Sequence, residues 1–554
     1  MRDRNSIFAA ILFMGGTALT ACSGGDGGSA AAAAPAPVAT TAPPPAATSS
    51  GPTFAPGIFE DSDQFQAQCE TPRSGVDIEG DAFPDQAGST VLENFWLRSW
   101  TNETYLWPDE VPDQNPALFD SRLTYFAELR SREVTPSGED QDDFHFSEPT
   151  ETFLERRNSA PTGGYGADFV ILSPSPPRDV RVRYTEENTP ASQAPLGIPN
   201  LVRGTRILEV DGIDLVNGAG TDVQLDALNA GLFPATIGET HTFVVIDPGA
   251  AAPRSITLTS ASVVPDPVNR VRIIDTPTGE VGYVLFNTFS PFASEEEIAT
   301  AMRTLSNADV EDLVLDLRYN GGGLLAVASQ LSFMIAGPNA TRNRTFETLR
   351  FNDAAGNNNP VTGAFNAPIP FHDSGLGFSL VTGEDLPSLS LPRVFILSTE
   401  DTCSASEAVI NGLRGIGVEV ILIGDTTCGK PFGFYPTAIV GGETYYTIQF
   451  QGLNDVGFGD YTDGFVPANS TFPFGVRTPG CVVPDTFDAE LGDPTEALLA
   501  AALQFREDGT CPAQTPSSSK SAIDQGSTKS ITGLALNAPP EDILSTNRDM
   551  QMPF

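Results

Sequence analysis

Residues 401–407 read Asp-Thr-Cys-Ser-Ala-Ser-Glu, and Thr402, Cys403, Ser404 and Ser406 are all residue types that can attack a carbonyl carbon. The run lies between an apolar segment, RVFILST, and an amphipathic one, SEAVINGLRGIG, so it reads as the turn of a strand–turn–helix unit. A side chain in such a turn stands at the end of a sheet and at a helix amino terminus. Backbone N–H groups there lack intrahelical partners and favour developing negative charge. Thr402 is further from the helix start than Ser404. Cys403 is the strongest intrinsic nucleophile, but a cysteine protease draws on a histidine partner, and His145, His241 and His372 are all distant in sequence. Ser404 has a structural reading as well, because Ser404-x-x-Glu407 is a capping box. The segment alone does not separate nucleophile from cap.

The basic residues add a second signal. The chain has three lysines, Lys430, Lys520 and Lys529, and the last two lie in a polar tail. Every other basic residue is Arg, which stays charged, whereas a desolvated Lys can lose its proton. Lys430 follows the apolar run VEVILIGD in a glycine-rich, aromatic turn, where Phe432, Phe434 and Tyr435 could exclude water from the amine. To be mostly neutral near pH 7 its pKa must fall from ~10.4 by ~3 to 4, roughly 4 to 5 kcal/mol. A neutral amine beside Ser404 would make a Ser–Lys dyad. Cys403 and Cys428 flank the two residues. If the side chains of Ser404 and Lys430 meet, the cysteine Cα atoms fall inside the ~4.4–6.8 Å disulfide window. A Cys403–Cys428 bridge is therefore expected, with Cys481–Cys511 as a second pair and Cys69 left single.

The elements that must hold these residues alternate. VGYVLFNTF, DLVLDLR, RVFILST and VEVILIGD read as strands, and SEEEIATAMRTL, GGLLAVASQLSFMIAG and SEAVINGLRGIG as helices, the first with a Ser294–Glu297 capping box. Such alternation predicts a layered β–α domain with parallel pairing.

CSASE followed by GDTTCGK resembles the carboxy-terminal processing, or tail-specific, proteases, whose pattern is S-A-S-E, a helix, a strand, then G-E-x-T-x-G-K. The family's L-D-L-R-x-N-x-G-G stretch is matched by LDLRYNGGG, Leu315 to Gly323. The resemblance implies a crotonase-like fold, Ser404 as nucleophile, Lys430 as general base, and an oxyanion hole built from Gly322 or Gly323 with the Ala405 N–H. Many members carry a Gln four residues after the lysine. Phe434 stands there, so a dyad is expected rather than a triad. His145, in DDFHFS, lies where relatives place a short motif, and a histidine near there helps catalysis in a more distant branch.

Residues 161–262 resemble a PDZ domain through PLGIPNLVRGTRILEVDGIDL, with Gly204, Ile207, Val210, Asp211 and Gly212 matching and Thr205 replacing the usual Asp. The resemblance places Tyr165, Gly166, Ala167 and Asp168 at the family's carboxylate-binding loop. PDZ domains add an extended peptide to a sheet edge and hold its terminal carboxylate in backbone amides. The amino terminus, charged MRDR, then a short apolar run, then LTAC, resembles a lipoprotein signal with Cys22 as the acylated residue, and Ser23 after it matches outer-membrane sorting.

The expected organisation is multi-domain α/β and α+β: signal peptide 1–22, Ala/Pro/Gly linker 23–57, helical domain 58–160, PDZ-like β domain 161–262, crotonase-like protease core 263–512 and polar tail 513–554. The net charge of −41 argues against a nucleic-acid partner, which needs clustered Lys and Arg. No CxxC or HExxH occurs, and neither metal nor cofactor is expected. The function implied is an exported, lipid-anchored serine endopeptidase of the bacterial periplasm, cutting protein or peptide substrates near exposed carboxyl-terminal tails. A non-catalytic protein on the same fold, binding peptides or hydrophobic ligands, is the rival expectation.

Overall fold

The computed structural model describes residues 51–513, apart from 196, 219–220 and 235, together with Met550–Gln551. The expected signal segment, Cys22 and most of the linker and tail lie outside the described residues. No described helix is long and apolar enough to cross a membrane.

The first segment holds α1 (Thr90–Thr104), α2 (Arg122–Phe126), β1 (Phe146–Pro149) and α3 (Thr150–Arg157). Ser89 caps α1 by accepting from the Leu92 N–H. Phe95, Trp96 and Trp100 are buried with Tyr125, Phe126 and Leu129, so the aromatic stripe is core. Within DSRLTYFAELRSR the helix is only five residues long. Beyond Ala127 the chain tightens into i→i+3 turns, Glu128 to Tyr125 and Leu129 to Phe126. The Ser131 N–H then goes to the Tyr105 hydroxyl, so a tertiary bond replaces the next helical one.

The second segment is an antiparallel sheet of β2 (Ala167–Ser173), β3 (Asp179–Thr185), β4 (Arg206–Val210), β5 (Ile213–Asp214), β6 (Thr240–Ile246) and β7 (Arg254–Thr259), with helix α4 (Asp222–Leu232). The strand order is β7-β6-β4-β3-β2, with β5 on β4. Alternate residues Val180, Val182, Phe243, Val245, Ile256 and Leu258 point into its own core.

The third segment carries the site. A six-stranded sheet runs β8 (Val268–Thr276), β9 (Gly279–Phe286), β10 (Asp312–Asp316), β13 (Arg393–Ser398), β14 (Glu419–Gly424) and β18 (Gly480–Val482), where β11 is Gly323–Leu324, β12 Thr345–Arg350, β15 Phe432–Gly433, β16 Glu443–Tyr446 and β17 Phe450–Leu453. Only β8–β9 is antiparallel; every other neighbouring pair is parallel. Helices α5 (Ser294–Asn307), α6 (Leu325–Thr341), α7 (Ala405–Gly415) and α8 (Ala497–Asp508) complete it. Val314, Phe395, Leu397, Ile421 and Ile423 face the α8 side, while Leu313, Leu315, Ile396 and Leu422 face α5–α7. Burial on both faces explains why these strands read as continuous apolar runs. Helix α5 begins at Ser294 as expected but without the capping box. The Ser294 hydroxyl turns back to the Phe289 and Pro291 carbonyls, and Glu297 instead accepts the Val268 N–H.

Candidate active site

The parallel order β10-β13-β14 brings three loops to one end of the sheet: 317–323 after β10, 399–404 after β13 and 425–431 after β14. The second is tied to the first at several points. Thr402 donates its hydroxyl to the Leu317 carbonyl at 2.9 Å and accepts the Thr399 N–H. The Cys403 N–H and the Ser406 hydroxyl both donate to the Asn320 carbonyl at 3.0 Å. Thr402 is thus occupied structurally, and Ser406 gains a role the sequence left open. Cys403 is bonded to Cys428, Cα to Cα 5.2 Å, which removes its thiol as a nucleophile. Cys481 is bonded to Cys511 and Cys69 is free.

Ser404 remains. It sits at φ 60°, ψ −112°, a backbone conformation that an L-residue rarely holds and that must be imposed by its surroundings. The side chain is buried, and its Oγ has no hydrogen-bond partner. The expected capping-box arrangement is present: Glu407 accepts the Ser404 N–H at 3.0 Å, and the Ser404 side chain faces the helix start while its Oγ makes no hydrogen bond. The Ala405 N–H is the first of α7, where helix geometry supplies no acceptor.

Glu407 is the hub of the site. Its Oε2 accepts the backbone N–H of Ser404 at 3.0 Å and of Lys430 at 2.8 Å; its Oε1 accepts the Thr427 hydroxyl at 2.5 Å and the Gly429 N–H at 2.9 Å. Sharing one oxygen places the backbone nitrogens of Ser404 and Lys430 within about 6 Å of each other. Burial pushes the Glu407 carboxyl up, and its four donors oppose the rise. Lys430 is buried, with Nζ 3.8 Å from the Phe434 ring centroid and 4.9 Å from that of Phe144. Phe434 does what its position suggested. Phe432 packs instead against Trp107, and Tyr435 accepts from Asn359. Phe144 comes from the first segment, almost three hundred residues away, and no local pattern marks it. Asp142, beside it, accepts from Tyr105 at 2.6 Å. Burial pushes its carboxyl up to about 6 against the opposing Tyr105 hydroxyl, the Phe144 N–H and, more weakly, the Arg130 and Lys430 charges.

The glycine turn divides its amides. The Gly322 N–H donates to the Asn320 side chain at 2.9 Å, so of the two glycines expected as oxyanion donors Gly322 is already committed. The Gly322 carbonyl and the Leu324 N–H are both used by Phe289, which turns the N–H and carbonyl of Gly323 to the opposite edge. A Cβ at Gly323, φ 132°, would lie 2.2 Å from the Ser290 nitrogen, so glycine is required there.

Both ring nitrogens of His145 are engaged. Its Nε2–H donates to the Phe126 carbonyl at 2.8 Å, its Nδ1 accepts from Thr447, and its ring stacks on Phe126. Burial lowers it to about 3, so the ring is neutral. At the expected carboxylate-binding loop, the Tyr165 hydroxyl donates to Gly231 and the Gly166 carbonyl accepts the Glu186 N–H. Ala167 pairs with Thr185, and Asp168 binds Arg183 at 2.5 Å. That buried Arg183 also reaches Asp401 at 3.4 Å and stacks on Tyr319 at 4.2 Å, touching both the nucleophile loop and the glycine loop. A cleft of about 1040 Å³ between the first segment and the core is lined by Trp96, Trp100, Phe153, Arg157 and Thr437, and by none of the dyad or glycine-turn residues.

Residues 280–447, which hold all three loops, match the model of peptidase family S41. A protein from Bacteroides fragilis NCTC 9343 assigned to the S41 proteases shares 23% identity over 75% of this chain and 97% of its own, with a TM-score of 0.57, and so shows a common fold. The photosystem II D1 C-terminal processing protease shares 19% identity over 71% of this chain and 93% of its own, with a TM-score of 0.38, and mature CPAF 14% over 68% and 91%, with 0.32. No curated protein sequence matches. Residues 280–447 are thus similar to peptidase family S41.

Proposed function

We propose that the protein is an exported, lipid-anchored endopeptidase that cleaves polypeptides near their carboxyl termini with a Ser404–Lys430 dyad. One observation carries the reading: a buried serine held at φ 60° at a helix start, its hydroxyl unspent, hangs from the same carboxylate oxygen as the lysine. Strain of this kind persists only where the surroundings enforce it, and it clusters at catalytic turns.

In the proposed reaction Ser404 Oγ attacks the scissile carbonyl while its proton passes to the Lys430 amine. Burial among Phe434 and Phe144 removes the water that favours the charged ammonium. The oxyanion is held by the N–H groups of Gly323 and Ala405. Collapse expels the amine product, which takes the proton from Lys430 and leaves an acyl-serine. Water, deprotonated by the Lys430 amine, attacks that ester, and the lysine returns the proton to Ser404 Oγ as the carboxylic acid product leaves. The sheet of residues 167–259 supports an additional role in capturing the substrate tail at a strand edge.

The test is cleavage of an unstructured polypeptide by the parent, Ser404→Ala and Lys430→Met chains, followed by mass spectrometry. Both substitutions should reduce kcat by about 10³-fold or more, and products should lose short carboxyl-terminal fragments. Full activity in Ser404→Ala would overturn the dyad. Products from internal sites alone would overturn the end preference.

A further inference from the structure

The turn of Gly323 N–H away from Phe289 leaves one edge of β11 to be covered by something else. In this chain that edge is covered by β19 (Met550–Gln551), which pairs with it in parallel, Gly323 with Met550 and Leu324 with Gln551. The same two residues lie against β15, the strand that begins two residues after Lys430. A short extended stretch of backbone thus runs between the oxyanion strand and the lysine loop, along the edge that carries the proposed oxyanion donor. An extended substrate would have to add itself as a strand at that same edge.

We propose that the segment around Met550–Gln551 is an internal strand ligand of the catalytic groove, which the protein holds there as a competitive occupant. This rests on the reading of Ser404 and Lys430 as a peptidase site. The recognition is main-chain pairing, so the ligand class is an extended peptide with free amides at its centre. Residues 514–549 join the segment to the core, and thirty-six residues at ~3.3 Å each are ample to reach the groove from Ala513. Occupancy in cis makes the block independent of protein concentration, and displacement requires a substrate that competes for the same edge.

The experiment uses the full chain. Met550→Pro with Gln551→Pro removes both strand amides without touching the dyad. If the groove is mostly occupied at rest, that variant should cleave a reporter peptide with kcat/KM raised about fivefold or more over the parent. A synthetic peptide of residues 545–554, added to the variant, should return the rate towards the parental value competitively, and its double-proline counterpart should not. In the Ser404→Ala form of the variant, the same peptide carrying a fluorophore should bind, read by anisotropy. Parent and variant rates within twofold of each other, or no binding of the labelled peptide at 1 mM, would overturn the proposal while leaving the peptidase reading intact. Binding of the peptide with no cleavage of any reporter would sink the peptidase reading instead. Loss of the difference on diluting the parent a hundredfold would replace the cis contact by one between copies.

Discussion

Glu407→Gln separates a positioning carboxylate from a merely buried one. The four donors divide evenly: Thr427 and Gly429 on Oε1, Ser404 and Lys430 on Oε2. A glutamine amide keeps one oxygen and presents an NH₂ where the other was. With the NH₂ towards Ser404 and Lys430 two backbone N–H groups face a donor; with it towards Thr427 and Gly429 only the Gly429 N–H does, because the threonine hydroxyl can turn to accept. Each orphaned donor costs ~1–3 kcal/mol, so the change costs roughly 1–6 kcal/mol, drawn from fold stability and from the alignment of Ser404 with Lys430. If the amide settles with its oxygen on Thr427 and Gly429, the backbones of both dyad residues lose their shared anchor. The expected result is a kcat reduced about 10²-fold or more with KM changed less than threefold, because the substrate-binding edge at Gly323 is untouched. Steady-state kinetics on a reporter peptide, with circular dichroism and urea unfolding to establish that the variant is folded, checks this. Glu407→Asp, which keeps the charge but shortens the reach, should recover part of kcat. A folded Glu407→Gln chain with kcat within twofold of the parent would refute the reasoning.

Reduction of Cys403–Cys428 releases a loop of sequence separation 25, which should lower stability by about 3 to 4 kcal/mol and lower kcat, since the bridge joins the two catalytic loops. Urea unfolding and kinetics of Cys403→Ala with Cys428→Ala test this, and unchanged values would refute it. Arg183→Ala removes the only guanidinium among the described residues seen to contact both Asp168 and Asp401. It should reduce activity on long substrates while leaving the sheet of residues 167–259 folded, as read by kinetics and far-UV circular dichroism. Glu347 is buried with both carboxyl oxygens unpartnered, and burial pushes it up to about 8 from an ordinary 4.5. The folded chain keeps that proton where the unfolded chain has lost it. Its stabilising effect is therefore full below about pH 4.5 and fades as pH rises towards 8, by on the order of 5 kcal/mol. Glu347→Gln should flatten the decline in urea-unfolding free energy between pH 5 and pH 8.5. An unchanged slope would assign the decline to Glu186, which burial also raises to about 8.

The core could be read from sequence because its strands are buried on both faces and its helices on one, so apolar runs and 3.6-residue periodicity survive in the letters. Ser404 and Lys430 could be read because each lies in a turn next to such an element. What could not be read depends on contacts made far along the chain. Phe144 and Asp142 reach the lysine from the first segment, and Arg183 reaches the nucleophile loop from the second. The capping-box reading at Ser294 was a local pattern overruled by packing. At Ser294 the hydroxyl found closer carbonyls. At Ser404 the box is present, yet the backbone is twisted to φ 60° and the hydroxyl makes no hydrogen bond.

That second arrangement is informative about mechanism. A serine that caps its helix fully has its oxygen engaged by a backbone N–H and is a poorer nucleophile for it. Here Glu407 secures the helix start through the Ser404 N–H, while Ser404 Oγ makes no hydrogen bond. The same carboxylate then gathers the Thr427–Lys430 loop around the serine's own backbone. One buried acid thus performs two tasks that conflict in an ordinary capping box: it ends the helix and leaves the hydroxyl for chemistry. This explains why the charge is tolerated in the core despite its desolvation, since each oxygen is matched by two donors that no apolar residue could satisfy.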